Sequence, residues 1–218
     1  MKRFVAAYLG LVVLALMILV GSVQAEDRYI PNIRTNQPLK CSTGNGAKAG
    51  ADVTVVEYGA LMMHKTVFTL DEQAVALTDE AGVVAHGGLK IYDFPEGAIM
   101  VVGVTSDLDL TKSSAGVNDD WDGDFGLGTV TATNDASLTT TEDDILPTTA
   151  TPQATSGATT ADGQSTADEN VVLDGTGTAK DMYLNFLVDD ADHNVTGTAC
   201  NLIADGTITL YWINLGDY

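Results

Sequence analysis

Positive charge is what this chain has least of. Ten Lys and Arg residues face 30 Asp and Glu, for a formal net charge of −20 over 218 residues. That excludes nucleic acid as a partner, because phosphate binding needs a basic footprint. It also excludes electrostatic docking on anionic lipid. Cysteines number only two, with no CxxC spacing, so thiol redox chemistry and a thiolate zinc site are excluded. Aromatics are 6% of residues, thin for a sugar-binding cleft. Glu, Lys, Arg and Gln, the polar helix formers, are scarce, which excludes a helical bundle. No Gly-x-Ser-x-Gly elbow occurs, so the α/β-hydrolase arrangement is absent. His64, His86 and His193 stand apart, none with a second ligand at metal spacing.

What is present is β-prone. Val, Thr, Ala and Gly are abundant and the acids are mostly Asp, a turn former. Hydrophobic residues are 45% of the chain, enough for a core and too many for a disordered chain. The pattern predicts an all-β fold, an antiparallel β-sandwich of jelly-roll type, over residues 51–218. Predicted strands are 53–58, 65–70, 73–78, 82–85, 89–94, a long run from 98 to 110, 126–133, 182–188 and 206–213. His86-Gly87-Gly88 reads as a bend or bulge. In the last two strands Met182, Leu184, Phe186 and Val188 share one face, as do Ile208, Leu210 and Trp212. Residues 139–168, rich in Thr, Ala, Ser and Asp, read as a linker or a long ordered loop.

Before the domain come two other segments. Lys2-Arg3, an apolar run from Phe4 to Val20 and a small-residue site ending at Ala25 make residues 1–25 a signal peptide or membrane anchor, predicted as a helix. Cleaved after Ala25, the mature chain keeps eight basic residues against 30 acids. An exported or extracellular location follows, with membrane contact only through this segment. Residues 26–50, with Pro31, Pro38 and Gly44-Asn45-Gly46, read as an irregular arm. In an exported protein Cys41 and Cys200 are expected to form one disulfide. Asn194-Val195-Thr196 is a glycosylation sequon for a eukaryotic host.

One stretch concentrates chemistry: Asn118-Asp119-Asp120-Trp121-Asp122-Gly123-Asp124. Oxygen ligands at alternating positions match the first half of an EF-hand loop, but Thr129 stands where the bidentate Glu belongs. Two readings stay open. Asn118, Asp120, Asp122 and Asp124, with Asp189 or Asp192, hold calcium in a site of another type. Alternatively, the segment is a turn whose carboxylates cap backbone amides. Trp121 is expected to plug the end of the domain, Trp212 to lie in the core, and His64 to sit at a strand edge.

The runs Gly87-Gly88-Leu89-Lys90-Ile91-Tyr92-Asp93-Phe94-Pro95-Glu96-Gly97-Ala98-Ile99, residues 115–129 around the acidic loop, and Thr141-Glu142-Asp143-Asp144-Ile145-Leu146-Pro147 resemble β-rich virion structural proteins of marine bacteriophages. The resemblance spans Ala51 to Tyr218 and brings no catalytic residues with it. It implies a non-enzymatic structural protein: a capsid, decoration or spike component that associates with itself and with other structural proteins. The alternative is an exported bacterial surface or periplasmic β-sandwich binding calcium or a glycan; a secreted hydrolase is a third class.

Overall fold

The computed structural model describes residues 40–41, 52–60, 63–79, 84–113, 115–133, 136–165, 171–189 and 200–216. The leader, most of the arm, His193, Asp192 and Asn194 lie outside them. Described residues form twelve antiparallel strands and no helix. In chain order these are β1 (Lys40–Cys41), β2 (Val53–Ala60), β3 (Met63–Asp79), β4 (Val84–Asp93), β5 (Gly97–Lys112) and β6 (Gly123–Gly128). Then come β7 (Leu146–Thr151), β8 (Ala158–Thr160), β9 (Gly163–Ser165), β10 (Val171–Gly175), β11 (Asp181–Asp189) and β12 (Cys200–Gly216).

The strands make one curled sheet with two halves. The first half runs β1-β2-β3-β12-β5, and β10, β9 and β8 follow one another along the far side of β5. The second runs β4-β11-β6-β7. The halves join where Thr78 and Asp79 of β3 pair with His86 and Ala85 of β4. Beyond that point β3 and β4 part, and their inner faces pack on one core. Phe68 meets Tyr92 edge-on at 5.3 Å and Phe94 meets Trp212 at 5.7 Å, so rings from both halves interlock. This is the expected all-β sandwich, with one side closed by β3.

Alternation sends the predicted residues inward. Met182, Leu184, Phe186, Val188, Ile208, Leu210 and Trp212 are all buried. Three register shifts interrupt the long strands, one of them near the end of β12 between Asn214 and Gly216. In β3, Leu70 pairs with Gly206 and Gln73 with Ala204, leaving one extra residue on β3. Glu72 takes the left-handed conformation there (φ 52°), and its amide donates to Asp205 Oδ1 at 2.6 Å. Thr66, Phe68 and Leu70 point inward before the bulge and Gln73, Val75 and Leu77 after it. The two strands expected at 65–70 and 73–78 are therefore one strand, because Asp71-Glu72 kinks the chain without reversing it. In β5, Val102 is the extra residue opposite Tyr211 and Trp212.

Other boundaries move for identifiable reasons. His86-Gly87-Gly88 does not bend; it runs through β4. A Cβ on Gly87 would lie 2.2 Å from the Ala76 carbonyl oxygen, so close strand approach, not a turn, requires the glycine. The strand predicted at 126–133 begins and ends earlier. After Gly128 the backbone is claimed by side chains: Thr129 N–H donates to Asp144, Ala132 N–H to Asn185 Oδ1 and Thr133 N–H to Glu142. Residues 139–165 are an ordered segment carrying β7, β8 and β9. The sheet starts inside the arm, at Lys40, and the compact unit runs from there to Tyr218.

The Cys41–Cys200 disulfide is not accommodated. Cys41 pairs with Glu57, which is level with Thr66 on β3 and Leu210 on β12. Cys200 begins β12 and is buried at the other end of the sheet, opposite Leu77. The intervening strand is roughly 30 Å long, against a limit of about 7 Å between Cα atoms.

Candidate functional site

The acidic loop is held by its backbone. Trp121 is 1% exposed, and its indole N–H donates to the Gly157 carbonyl at 3.1 Å. Ala154 N–H donates to Trp121 O and Gly157 N–H to Asp119 O, both at 2.7 Å. Lys112 Nζ reaches Asp119 at 2.5 Å. The loop is thus pinned to residues 153–158 with Trp121 as the plug the sequence predicts.

The expected calcium ligands are not brought together. Among the described residues no three His, Cys, Asp or Glu side chains group as metal ligands, so Asp120, Asp122 and Asp124 do not converge. The reason lies in the strand. Asp124 is inside β6, where its backbone is paired with Leu187 and Ala150, whereas Asp120 stands outside the strand. Asp120 lies in the exposed turn, its carbonyl accepting from Gln153 Nε2. Asn118 and Asp122 are half-buried beside it. Asp122 and Asp124 line a cleft of about 370 Å³ with Val84, Ala136, Ala150, Thr151 and Leu187.

Gly123 is needed for a reason other than calcium. A Cβ there would lie 2.0 Å from the Leu187 carbonyl oxygen. Gly123→Ala is expected to destabilise the domain by about 1–3 kcal/mol through forced strand separation, read by chemical denaturation.

A second constellation was invisible at sequence level. Glu57 of β2, 5% exposed, accepts from Tyr92 Oη at 2.9 Å through Oε2, and its Oε1 lies 2.6 Å from His64 Nδ1. His64 stacks on Trp212 with ring centroids 4.0 Å apart, and Trp212 Nε1 donates to Thr66 Oγ1 at 2.9 Å. His64 is therefore not at a sheet edge: β2 and β12 flank it on either side. The residues are far apart in sequence, and only the register of β2, β3, β4 and β12 assembles them. Each polar group has a partner within the cluster, so the array braces four strands. Burial, then the Glu57 charge, holds the Tyr92 phenol well above its ordinary value near 10. A raised folded-state pKa contributes stability that is full below the unfolded value and lost as pH rises through it. Stability is therefore expected to fall above roughly pH 10, and Tyr92→Phe to flatten that decline, measured by denaturant titration between about pH 8 and 11.

The most unusual surface is the outer face of the first half-sheet. Cross-strand register lays down three successive rows there. The first is Met63–Ile213–Met100–Val172. The second is Tyr58–Lys65–Tyr211–Gly103, and the third Val56–Val67–Thr209–Thr105–Gln164. None holds a carboxylate, in a chain with 30. Met63 is 66%, Val172 57% and Tyr211 44% exposed, three of the four exposed large hydrophobic side chains among the described residues. Lys65 lies over the Tyr211 ring, 5.8 Å from its centroid. Carboxylates begin beyond these rows, at Asp107, Asp109 and Asp205 on one side and at Asp174, next along β10 from Val172, on the other. The hydrophobic contacts are individually ordinary in sequence; alternation and the Val102 bulge gather them on one face.

The geometry defines an acidic, all-β, antiparallel protein with an apolar sheet face. No known family model and no curated protein matches the chain. No helix among the described residues is long and apolar enough to cross a membrane.

Proposed function

We propose that this is a non-enzymatic structural protein that associates with copies of itself, as an exported virion component of the capsid, decoration or spike type. The observation that carries this reading is the carboxylate-free apolar face. Two copies of a chain charged at −20 repel over most of their surfaces. Rows headed by Met63 and Tyr211 offer a place to approach without that repulsion, and exposed apolar area of this kind favours burial. The resemblance to phage virion proteins supports the class of assembly. The buried Glu57–His64–Tyr92 array, at the level of these rows, serves as rigid bracing beneath such a face.

Sedimentation velocity tests it. The wild-type chain is expected to run as a multimer. Met63→Asp with Tyr211→Asp is expected to dissociate it, with thermal stability nearly unchanged because both side chains point to water. Unaltered assembly of the double variant would overturn the reading.

A further inference from the structure

Charge is divided along this chain as well as over its surface. Residues 28–51 contain Arg28, Arg34, Lys40 and Lys48 and no acid. Residues 52–218 contain Lys65, Lys90, Lys112 and Lys180 against 28 acids, a net −24. The basic stretch also carries apolar side chains at Tyr29, Ile30, Ile33 and Leu39.

We propose that the segment 28–39 of one copy docks on the outer face of the first half-sheet of the next copy, so that the chains assemble head to tail. This rests on the self-association proposed above and specifies its contact. Three observations carry it.

The first is where the segment leaves the sheet. Lys40 pairs with Tyr58 and Cys41 with Glu57 at the outer edge of β2. Those pairings place Lys40, the attachment point of the segment, near the Met63 end of the sheet, where the apolar rows lie. Twelve residues span at most about 40 Å when extended, enough to reach a neighbouring molecule.

The second is that the receiving face has two matching zones. Apolar rows at one end suit Tyr29, Ile30 and Ile33. At the other end Asp205 and Glu72, with Ile203 and Thr111, line a cleft of about 390 Å³. That combination of carboxylates and an aliphatic wall fits a guanidinium, whose planar fork pairs with carboxylates while its stem packs on apolar surface.

The third is electrostatic. Domains of −24 repel outside the carboxylate-free rows, and the segment delivers Arg28 and Arg34 to offset that charge at each contact. A contact between a segment and a different surface is heterologous, and it closes into a ring or extends as a fibre according to the rotation between copies.

The test uses the chain from Glu26, with a photo-crosslinking residue replacing Ile33 and equal parts of ordinary and 15N-labelled protein. Crosslinks joining light to heavy copies, on peptides carrying Met63, Met100, Tyr211 or Asp205, support the proposal. Crosslinks confined within one copy overturn it, the segment then covering its own sheet. Crosslinks to other surfaces overturn it too. A multimer lacking these crosslinks leaves the self-association standing and removes only the docked segment; a monomer removes both. In parallel, Arg28→Glu with Arg34→Glu is expected to weaken association at least tenfold, and unchanged association would count against the contact.

Discussion

Trp121→Ala is expected to cost the domain roughly 3–5 kcal/mol, the range for removing a buried aromatic side chain. Trp121 is 1% exposed and lies in the main core with Val117, Phe125 and Ala154. Its indole N–H also donates to Gly157 O at 3.1 Å, so truncation leaves a cavity and removes one of the two hydrogen bonds that carbonyl accepts, the other coming from Lys112 N–H. Against a typical domain stability of about 5–15 kcal/mol, the loss removes a large fraction. Trp121→Phe keeps most of the bulk and is expected to lose less. The neighbouring acids give the contrast. Asp120→Ala and Asp122→Ala are expected to cost under about 1 kcal/mol, as exposed or half-exposed carboxylates do. Denaturation curves for the four variants separate a plug from a cation site. If the loop is a plug, Trp121 dominates and EDTA leaves the melting temperature unmoved.

Glu57→Ala is the second substitution with a large expected effect. It leaves the Tyr92 hydroxyl and His64 Nδ1 without their acceptor in the core. Each buried group left unsatisfied costs about 1–3 kcal/mol, and this change strands two. Glu57→Gln retains an acceptor and is expected to cost only about 1–2 kcal/mol. The sharper test is a double change. If the array is a brace satisfied from within, replacing both Glu57 and Tyr92 by apolar residues, as Glu57→Leu with Tyr92→Phe, costs less than the separate effects added together. The difference is expected at about 0.5–3 kcal/mol. Additive losses would show that the two side chains act separately.

These sites differ in how far the sequence discloses them. Alternation alone identifies the inward residues of β11 and the end of β12, because a period of two needs no partner to be read. Trp121 is likewise legible, as one large apolar residue amid acids. Bulges are not legible. Asp71-Glu72 has the composition of a turn, and only the continuous β12 beside it shows that the chain goes straight on. Val171–Gly175 passes unnoticed because it is short and flanked by acids; it becomes a strand by pairing with β5. The Glu57–His64–Tyr92 array and the apolar face depend on register between distant strands, which carries no local signal. The calcium and disulfide expectations share one flaw: each treats suitable residue types as if proximity followed from them. Asp124 inside β6 and Cys41 level with Leu210 show that strand geometry decides otherwise.

The most direct test of the assembly face uses its own methionine. Met63 is 66% exposed on a single chain and oxidises readily when open to water. Oxidation footprinting by mass spectrometry across a concentration series reads its accessibility as copies come together. The expected result is Met63 oxidising fast in dilute protein and several-fold more slowly once assembled, with buried Met182 slow throughout. Assembly with Met63 oxidising at an undiminished rate, or no assembly at any concentration, would contradict it.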